Sequence, residues 1–253
     1  MIGQFLTDQG RVRSHNEDSG GVFYNTDNQL LAIIADGMGG HQAGDVASQM
    51  ATELIREKWQ ITEAFTAPDK AEEWISNVLK DVNETILQTS KDKQECQGMG
   101  TTVVISICTD EFITVAHIGD SRCYLLNNNG FNQITDDHSL VNELVRSGQI
   151  SKADAEHHPR KNVLLKALGT EADVIPDVKT LEWEKNDKIL LCSDGLTNKV
   201  LDDEIKGYID NNKDIKEIGS ALVHLANERG GEDNVSLVIV SHKPSEKVGE
   251  DTC

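Results

Sequence analysis

Two kinds of apolar pattern divide the chain. Short runs at about 22–24, 30–35, 102–107, 112–118, 122–126, 187–192 and 235–240 are apolar almost without interruption. Runs of this length, rich in Ile, Val and Leu, predict strands. Between the second and third runs, apolar residues recur at helical spacing. Val46, Ala47, Met50, Ala51, Leu54 and Ile55 form one stripe, and Trp74, Ile75, Val78, Leu79, Val82 and Ile86 another. A third stripe passes through Ile215, Ile218, Ala221, Leu222, Leu225 and Ala226 and stops at Gly230-Gly231. Such stripes predict helix faces turned to a core. Gln60 to Lys70 predicts a loop between the first two helices. Asn127-Asn128-Asn129-Gly130 predicts a hairpin joining Tyr124-Leu125-Leu126 to Phe131. Helices come in blocks between runs of strands, without strict β-α-β alternation, which favours an α+β layered domain with antiparallel sheets.

Residues 138–176 break the pattern. A short amphipathic piece (Leu140, Val141, Leu144, Val145) is followed by polar, His-rich sequence, so this segment predicts a surface excursion between two strands. No internal repeat or low-complexity linker interrupts the rest. Residues 1–241 read as a single domain, and the polar stretch 242–253 as a disordered tail. With 253 residues, 38% of them hydrophobic, the chain can bury a proper core. Its formal charge of −19 argues against nucleic acid and against an anionic membrane surface as partners. The five cysteines form no C-x-x-C pair, and Cys108 and Cys192 sit inside apolar runs as buried thiols. The N-terminus lacks the cationic start and apolar core of a signal peptide, and no apolar run approaches a membrane span. A reducing, cytoplasmic location is expected.

The chemistry concentrates in four aspartates beside or near glycine at the ends of these runs. Asp36 follows Leu30–Ala35, Asp120 follows Ile113–Gly119, Asp194 follows Ile189–Ser193, and Asp233 precedes Val235–Val240. One Asp-Gly pair is ordinary turn chemistry. Three aspartates ending strands and a fourth beginning one fall on the same rim of an antiparallel sheet. With Asn16-Glu17-Asp18 nearby, they predict a carboxylate site for a hard divalent cation. No phosphate-binding G-x-x-x-x-G-K-[ST], H-E-x-x-H or G-x-S-x-G motif competes with this reading.

Seven acidic or polar motifs occur in a fixed order. They are Arg13-Ser14-His15-Asn16-Glu17-Asp18, Ala35-Asp36-Gly37-Met38-Gly39-Gly40-His41, Gly100-Thr101-Thr102, Gly119-Asp120-Ser121-Arg122, Asp137-His138-Ser139, Ser193-Asp194-Gly195-Leu196 and Gly231-Glu232-Asp233-Asn234. Over about residues 1–240 the chain resembles the protein phosphatase 2C family, the metal-dependent serine/threonine phosphatases, in its compact bacterial form. The resemblance implies a four-layer α-β-β-α sandwich, two packed antiparallel sheets flanked by helix pairs. It also implies a binuclear Mn²⁺ or Mg²⁺ centre in which Asp36 bridges both ions. The Gly37 carbonyl would bind one ion, and Asp194 and Asp233 the other. Glu17 and Asp18 would hold metal-bound waters, and a third, weaker ion would sit on Asp120 with Asp194. Arg13 would grip the substrate phosphate, and residues 142–176 would form a flap beside the site.

The reaction so implied is hydrolysis of phosphoserine or phosphothreonine in proteins by direct attack of a metal-bridging hydroxide, without a phosphoenzyme. A pair of cations can acidify water and neutralise phosphoryl charge, and a guanidinium fork matches phosphate oxygens. The expected partners are phosphoproteins and a cognate serine/threonine kinase, with the enzyme a monomer. Two alternatives remain open: a phosphatase dedicated to one regulatory phosphoprotein, and a catalytically silent metal-binding regulator. Retention of Arg13, Asp36, Asp194 and Asp233 argues against silence. The leaving-group acid is the weak point. Eukaryotic members carry histidine directly after the Asp-Gly, where this chain has Met38, and His41 is the nearest histidine. His138 reads as structural and His157-His158 as solvated. Arg122 is expected to brace the Asp120 turn, and Thr101 and Thr102 to bond nearby carboxylates. Lys166 stands where relatives often have arginine.

Overall fold

The run from Leu30 to Ala35 is apolar at every position because both of its faces are buried. Leu31, Ile33 and Ala35 pack against helices, whereas Leu30, Ala32 and Ile34 pack against a second sheet. The computed structural model describes residues 1–39, 43–211 and 213–243. The described chain runs β1 (Ile2–Asp8), β2 (Asp18–Tyr24), β3 (Leu30–Met38), α1 (Ala43–Gln60), α2 (Pro68–Asp92), β4 (Gly100–Thr101), β5 (Val103–Cys108), β6 (Phe112–Ile118), β7 (Arg122–Asn127) and β8 (Gly130–Gln133). It continues through α3 (Leu140–Arg146), α4 (Lys152–Glu156), β9 (Asp177–Glu182), β10 (Lys188–Cys192), α5 (Asp194–Thr197), α6 (Asp202–Ile209), α7 (Ile215–Glu228) and β11 (Val235–Ser241).

Every strand pairing is antiparallel. One sheet has the order β1-β11-β10-β7-β8; the other runs β2-β3-β5-β6-β9, with β4 beside β3. Three apolar layers result. The middle one joins the sheets through Leu30, Ile34, Val104, Ile189, Leu191 and Val238. One outer layer seats α1 and α2 on the second sheet, and the other seats α6 and α7 on the first. This is the four-layer α-β-β-α sandwich that the motifs imply. Strands β5, β10 and β11 read as continuous apolar runs for the same reason as β3: each is a central strand covered on both faces.

The loop between α1 and α2 is closed by aromatics. Trp59 stacks on Phe65 and meets Trp74 edge-on at 5.4 Å, and its indole N–H donates to the Phe23 carbonyl at 3.1 Å. Helix α2 starts at Pro68, whose missing N–H costs nothing in a first turn. The excursion after β8 carries two short helices, α3 and α4, started by Ser139 and Ser151 side chains that accept backbone N–H bonds. It returns along the second sheet, where Thr101 and Leu168 exchange both backbone hydrogen bonds, at 3.1 and 2.9 Å. The expected tail starts at 242, but His242 is buried and its N–H donates to the Asp187 carbonyl at 2.9 Å, so order extends past the expected boundary; from 244 onward the tail lies outside the described residues. Among the described residues, no helix is long and apolar enough to cross a membrane.

Buried Asn83 of α2 fixes the returning end of the excursion. Its amide oxygen accepts the Gly169 N–H at 2.7 Å, and its amide nitrogen donates to the Glu171 and Ala172 carbonyls at 2.9 and 3.2 Å. Asn83→Ala leaves these backbone groups without partners, which costs about 1–3 kcal/mol for a buried group. Urea unfolding is expected to show a loss in that range; a change below about 0.5 kcal/mol would mark Asn83 as ordinary surface.

Candidate active site

The register of β2 on β3 places Asp18 directly opposite Asp36. Facing side chains on paired strands lie roughly 5 Å apart, and like charges there repel. Strand β3 does not end at Asp36, as the sequence pattern suggested. It continues through Gly37 and Met38, which pair with Thr101 and Gly100 of β4. A Cβ on Gly37 would overlap the Gly44 carbonyl oxygen, so only glycine admits the start of α1 here. Asp120 lies in the turn after β6, behind Gly119 at φ +111°. Asp194 opens α5 directly after β10, and Asp233 precedes β11. A Cβ on Gly195 would overlap the Asn234 carbonyl oxygen, and this close approach brings the Asp194 turn onto the Asp233 loop.

Hydroxyls and amides from distant segments hold the carboxylates. Ser193 Oγ donates to Asp18 Oδ2 at 2.8 Å and accepts the Ser236 N–H at 3.0 Å. The chain of contacts continues from Ser236 Oγ to Thr7 Oγ1 at 2.7 Å, and Asn16 Nδ2 donates to that threonine at 2.8 Å. Asn198 Nδ2 donates to Asp194 Oδ2 at 3.0 Å. Asn234 organises the N-terminal loop: its amide oxygen accepts the Glu17 N–H, and its nitrogen donates to the Gln9 and His15 carbonyls. Thr101 and Thr102 bond the Asp36 backbone, not carboxylates as expected. Thr101 Oγ1 donates to the Asp36 carbonyl at 2.9 Å, and Thr102 Oγ1 accepts the Asp36 N–H at 3.1 Å. Arg122 grips Asp137 with both Nε and Nη2, so it ties β7 to the start of the excursion and reaches the Asp120 turn only indirectly.

Burial and mutual repulsion raise the pKa of Asp18, Asp36, Asp120 and Asp194 above the usual carboxylate range. For Asp36 burial is the main cause, followed by Asp18, Asp194, Asp120 and Asp233. Asp18 is pushed up to about 7 by burial and by Asp194 and Asp233, against the pull of hydrogen bonds from Ser236 and Ser193. Asp120 rises to about 7 through burial and Asp194, and Asp194 to about 6 through burial and Asp233. Burial also raises Glu17. Arg13, on the rim and 46% exposed, sets Nη2 at 2.8 Å from Asp233 Oδ2 and Nη1 at 3.8 Å from Glu17. Arg13 meets Asp233 and Glu17, and ionising the other acids calls for further positive charge. All the donors are oxygens, so the cluster fits a hard divalent cation. Asp36, Asp194, Asp233 and the Gly37 carbonyl are the groups that would hold it, with Glu17 and Asp18 reaching it through water and Asp120 at the edge.

A tighter set of ligand-type atoms lies elsewhere: His117, His138 and Asp177 bring one each within 4.8 Å. This set does not suit a metal. His138 Nδ1 accepts the Gly119 N–H at 3.1 Å, so in the neutral ring the proton is on Nε2. His117 Nε2 faces the Asp136 carbonyl at 2.8 Å, and Lys166 already takes the Asp177 carboxylate at 3.3 Å. The acidic rim is the better metal site. His41, the expected proton donor, lies outside the described residues.

These features define a divalent-cation centre at one end of an α-β-β-α sandwich. The chain belongs to the protein phosphatase 2C family, whose sequence profile matches residues 8–236. It is 45% identical over 247 residues to the serine/threonine phosphatase stp of Listeria monocytogenes, covering 98% of each chain. Its fold is similar to the crystal structure of serine/threonine phosphatase Stp1 from Staphylococcus aureus, with a TM-score of 0.90, 39% identity and coverage of 96% and 95% of the two chains. It is also similar to the catalytic domain of the phosphatase PstP in complex with two manganese ions, with a TM-score of 0.82, 32% identity and coverage of 95% and 97%.

The raised acids give the metal-free protein a pH signature. Unfolded, each aspartate titrates near about 3.9. Folded, Asp18, Asp120 and Asp194 titrate at about 6 to 7, so between these values the fold binds more protons than the unfolded chain. Stability therefore falls as pH rises through that window. His138, whose pKa burial lowers, works in the opposite sense, but it is one group against several. In chelator, calorimetry is expected to give a lower Tm at pH 8 than at pH 5, and Mn²⁺ should raise Tm more at pH 8. A metal-free Tm that climbs between pH 5 and pH 8 would contradict the clustered charge.

Proposed function

We propose that the chain removes phosphate from phosphoserine and phosphothreonine in proteins, using Mn²⁺ or Mg²⁺ held by the acidic rim. As a protein phosphatase 2C it is a protein-serine/threonine phosphatase with a divalent-metal cofactor. The observation that carries the reading is the convergence of Asp18, Asp36, Asp120 and Asp194 on one partly buried rim, where each raises the cost of ionising another, with Arg13 standing half-exposed on its edge. Divalent ions, when bound, acidify water and neutralise the phosphoryl charge.

The residues divide the remaining work. Asp36 is the central ligand: four other carboxylates act on it, and its backbone is fixed on both sides by Thr101 and Thr102. Gly37 offers its carbonyl beside it, and Asp194 and Asp233 form the second pole. Glu17 and Asp18 would hold water around the ions. Asp120, with Asp194, supplies a looser third site. Arg13 can turn its fork from Asp233 to a substrate phosphate, a two-pronged charge-assisted contact that lysine cannot reproduce. Met38 stands directly after Asp36-Gly37 and carries no transferable proton, which leaves His41 as the histidine nearest in sequence for the leaving oxygen. The substrates are cytoplasmic phosphoproteins, among them a cognate serine/threonine kinase, and the enzyme acts as a monomer.

Asp36→Asn removes the charge of the carboxylate that would hold both ions. Release of phosphate from a phosphothreonine peptide with Mn²⁺ is expected to fall by about a thousandfold or more, since several kcal/mol of barrier depend on it. Turnover within tenfold of the unaltered enzyme would take Asp36 out of that role. Arg13→Ala is expected to lower kcat/KM by roughly ten- to a hundredfold, the worth of one charge-assisted bond, with bound manganese unchanged. Loss of the metal from that variant would make Arg13 part of the metal site instead.

A further inference from the structure

Gly119 links β6 to Asp120, and one residue takes both of its backbone polar groups. The His138 N–H donates to the Gly119 carbonyl at 2.9 Å, and His138 Nδ1 accepts the Gly119 N–H at 3.1 Å. The peptide planes before and after Gly119 are therefore both pinned by His138. The second of these planes carries the Asp120 N–H, so it fixes the backbone from which the Asp120 side chain springs. At φ +111° Gly119 takes a conformation that only glycine adopts readily, and a Cβ there would overlap the Thr102 side chain.

His138 is itself clamped from three sides. Its ring stacks on buried His117 with centroids 4.5 Å apart and planes 17° apart. Its Nε2 is buried, makes no hydrogen bond among the described residues, and lies 3.4 Å from Asp177 Oδ1 of β9. Its carbonyl accepts the N–H of Leu165 at 2.8 Å, and Lys166 next to it reaches the same Asp177 oxygen at 3.3 Å. The imidazole is thus fixed in place and in tautomer, with Nδ1 left as an acceptor for Gly119. A residue that only filled space would need neither.

We propose that His138 is the positioning residue for Asp120, holding the Gly119 peptides so that the Asp120 carboxylate meets the third cation. The proposal rests on the assignment of Asp120 to a third-ion site. Residues that orient a metal ligand typically govern affinity by about 10- to 100-fold when altered. His138→Asn keeps an acceptor oxygen where Nδ1 stood, whereas the amide of His138→Gln falls at the Nε2 position and leaves the Gly119 N–H without a partner.

The test is calorimetric titration of Mn²⁺ into the full chain, with thermal unfolding of each variant alongside. The unaltered protein is expected to bind a tight pair and then a weaker ion. His138→Ala and His138→Gln should keep the tight pair and weaken the last step by about tenfold or more. His138→Asn should restore that step. A weaker step that stays unchanged in His138→Ala and His138→Gln while Tm falls would overturn the proposal and leave His138 a packing residue. Where His138→Ala does not fold, the comparison of Asn with Gln decides alone, and equal affinities overturn the proposal. Asp120→Asn separates the two readings. If it leaves the weaker step at full strength, the third-ion assignment falls and the positioning role with it. If it abolishes that step while Gln matches Asn at position 138, the positioning role alone falls.

Discussion

Two carboxylates, Asp18 and Asp36, face each other across paired strands on a partly buried rim, and the rest of the site answers to that fact. Two like charges about 5 Å apart cost roughly 3 kcal/mol at an effective dielectric of about 20. The pairing survives because register is set elsewhere. Leu30, Leu31, Ile33 and Ile34 are fully buried, and each such side chain contributes about 1.5–3 kcal/mol. Shifting β3 by one residue would exchange its two faces and dismantle two apolar layers at once. Hydrophobic burial thus outweighs the electrostatic cost and presses the acids together, and a divalent cation is the group that relieves the cost.

The same economy runs through the supports. The aspartates are carried by strands whose positions the core dictates, while short polar side chains set their aim. Ser193, Ser236, Thr7 and Asn16 connect the first sheet to Asp18 on the second. Asn234 ties the loop bearing Arg13 and Glu17 to the start of β11. The excursion is stapled to the site at both ends, by His138 at Gly119 and by Leu168 at Thr101, whose strand pairs with Gly37. Movement of the excursion therefore has a mechanical route to Gly119, beside Asp120, and to Gly37, beside Asp36. Arg13, bonded to Asp233 and half exposed, is placed so that its fork could turn from Asp233 to a substrate phosphate, as proposed above.

The parts of the fold covered on both faces were legible in the sequence. Strands β3, β5, β6, β10 and β11 and helices α1, α2 and α7 all announce themselves as apolar runs or stripes. Strands β1 and β9 did not, because each is a sheet edge that buries only part of its length; Ile-Gly-Gln-Phe-Leu-Thr-Asp and Asp-Val-Lys-Thr-Leu-Glu read as mixed sequence. Helix α6 was missed because only Ile205 and Ile209 face the core. The aspartates were legible because acids beside glycine at strand ends are a local pattern. Their holders were not: Ser193 and Asp18 are 175 residues apart, and Asn234 and Glu17 are 217 apart. Thr101 and Thr102 were placed near the right residue with the wrong chemistry, since spacing does not distinguish a bond to the Asp36 backbone from one to its carboxylate.

The most direct test is anomalous diffraction from crystals of the full chain grown with Mn²⁺. The account requires manganese peaks enclosed by Asp36, Asp194 and Asp233, with Asp36 touching more than one ion and the Gly37 carbonyl turned toward one of them. Peaks absent from that rim, or found only at His117, His138 and Asp177, would contradict it.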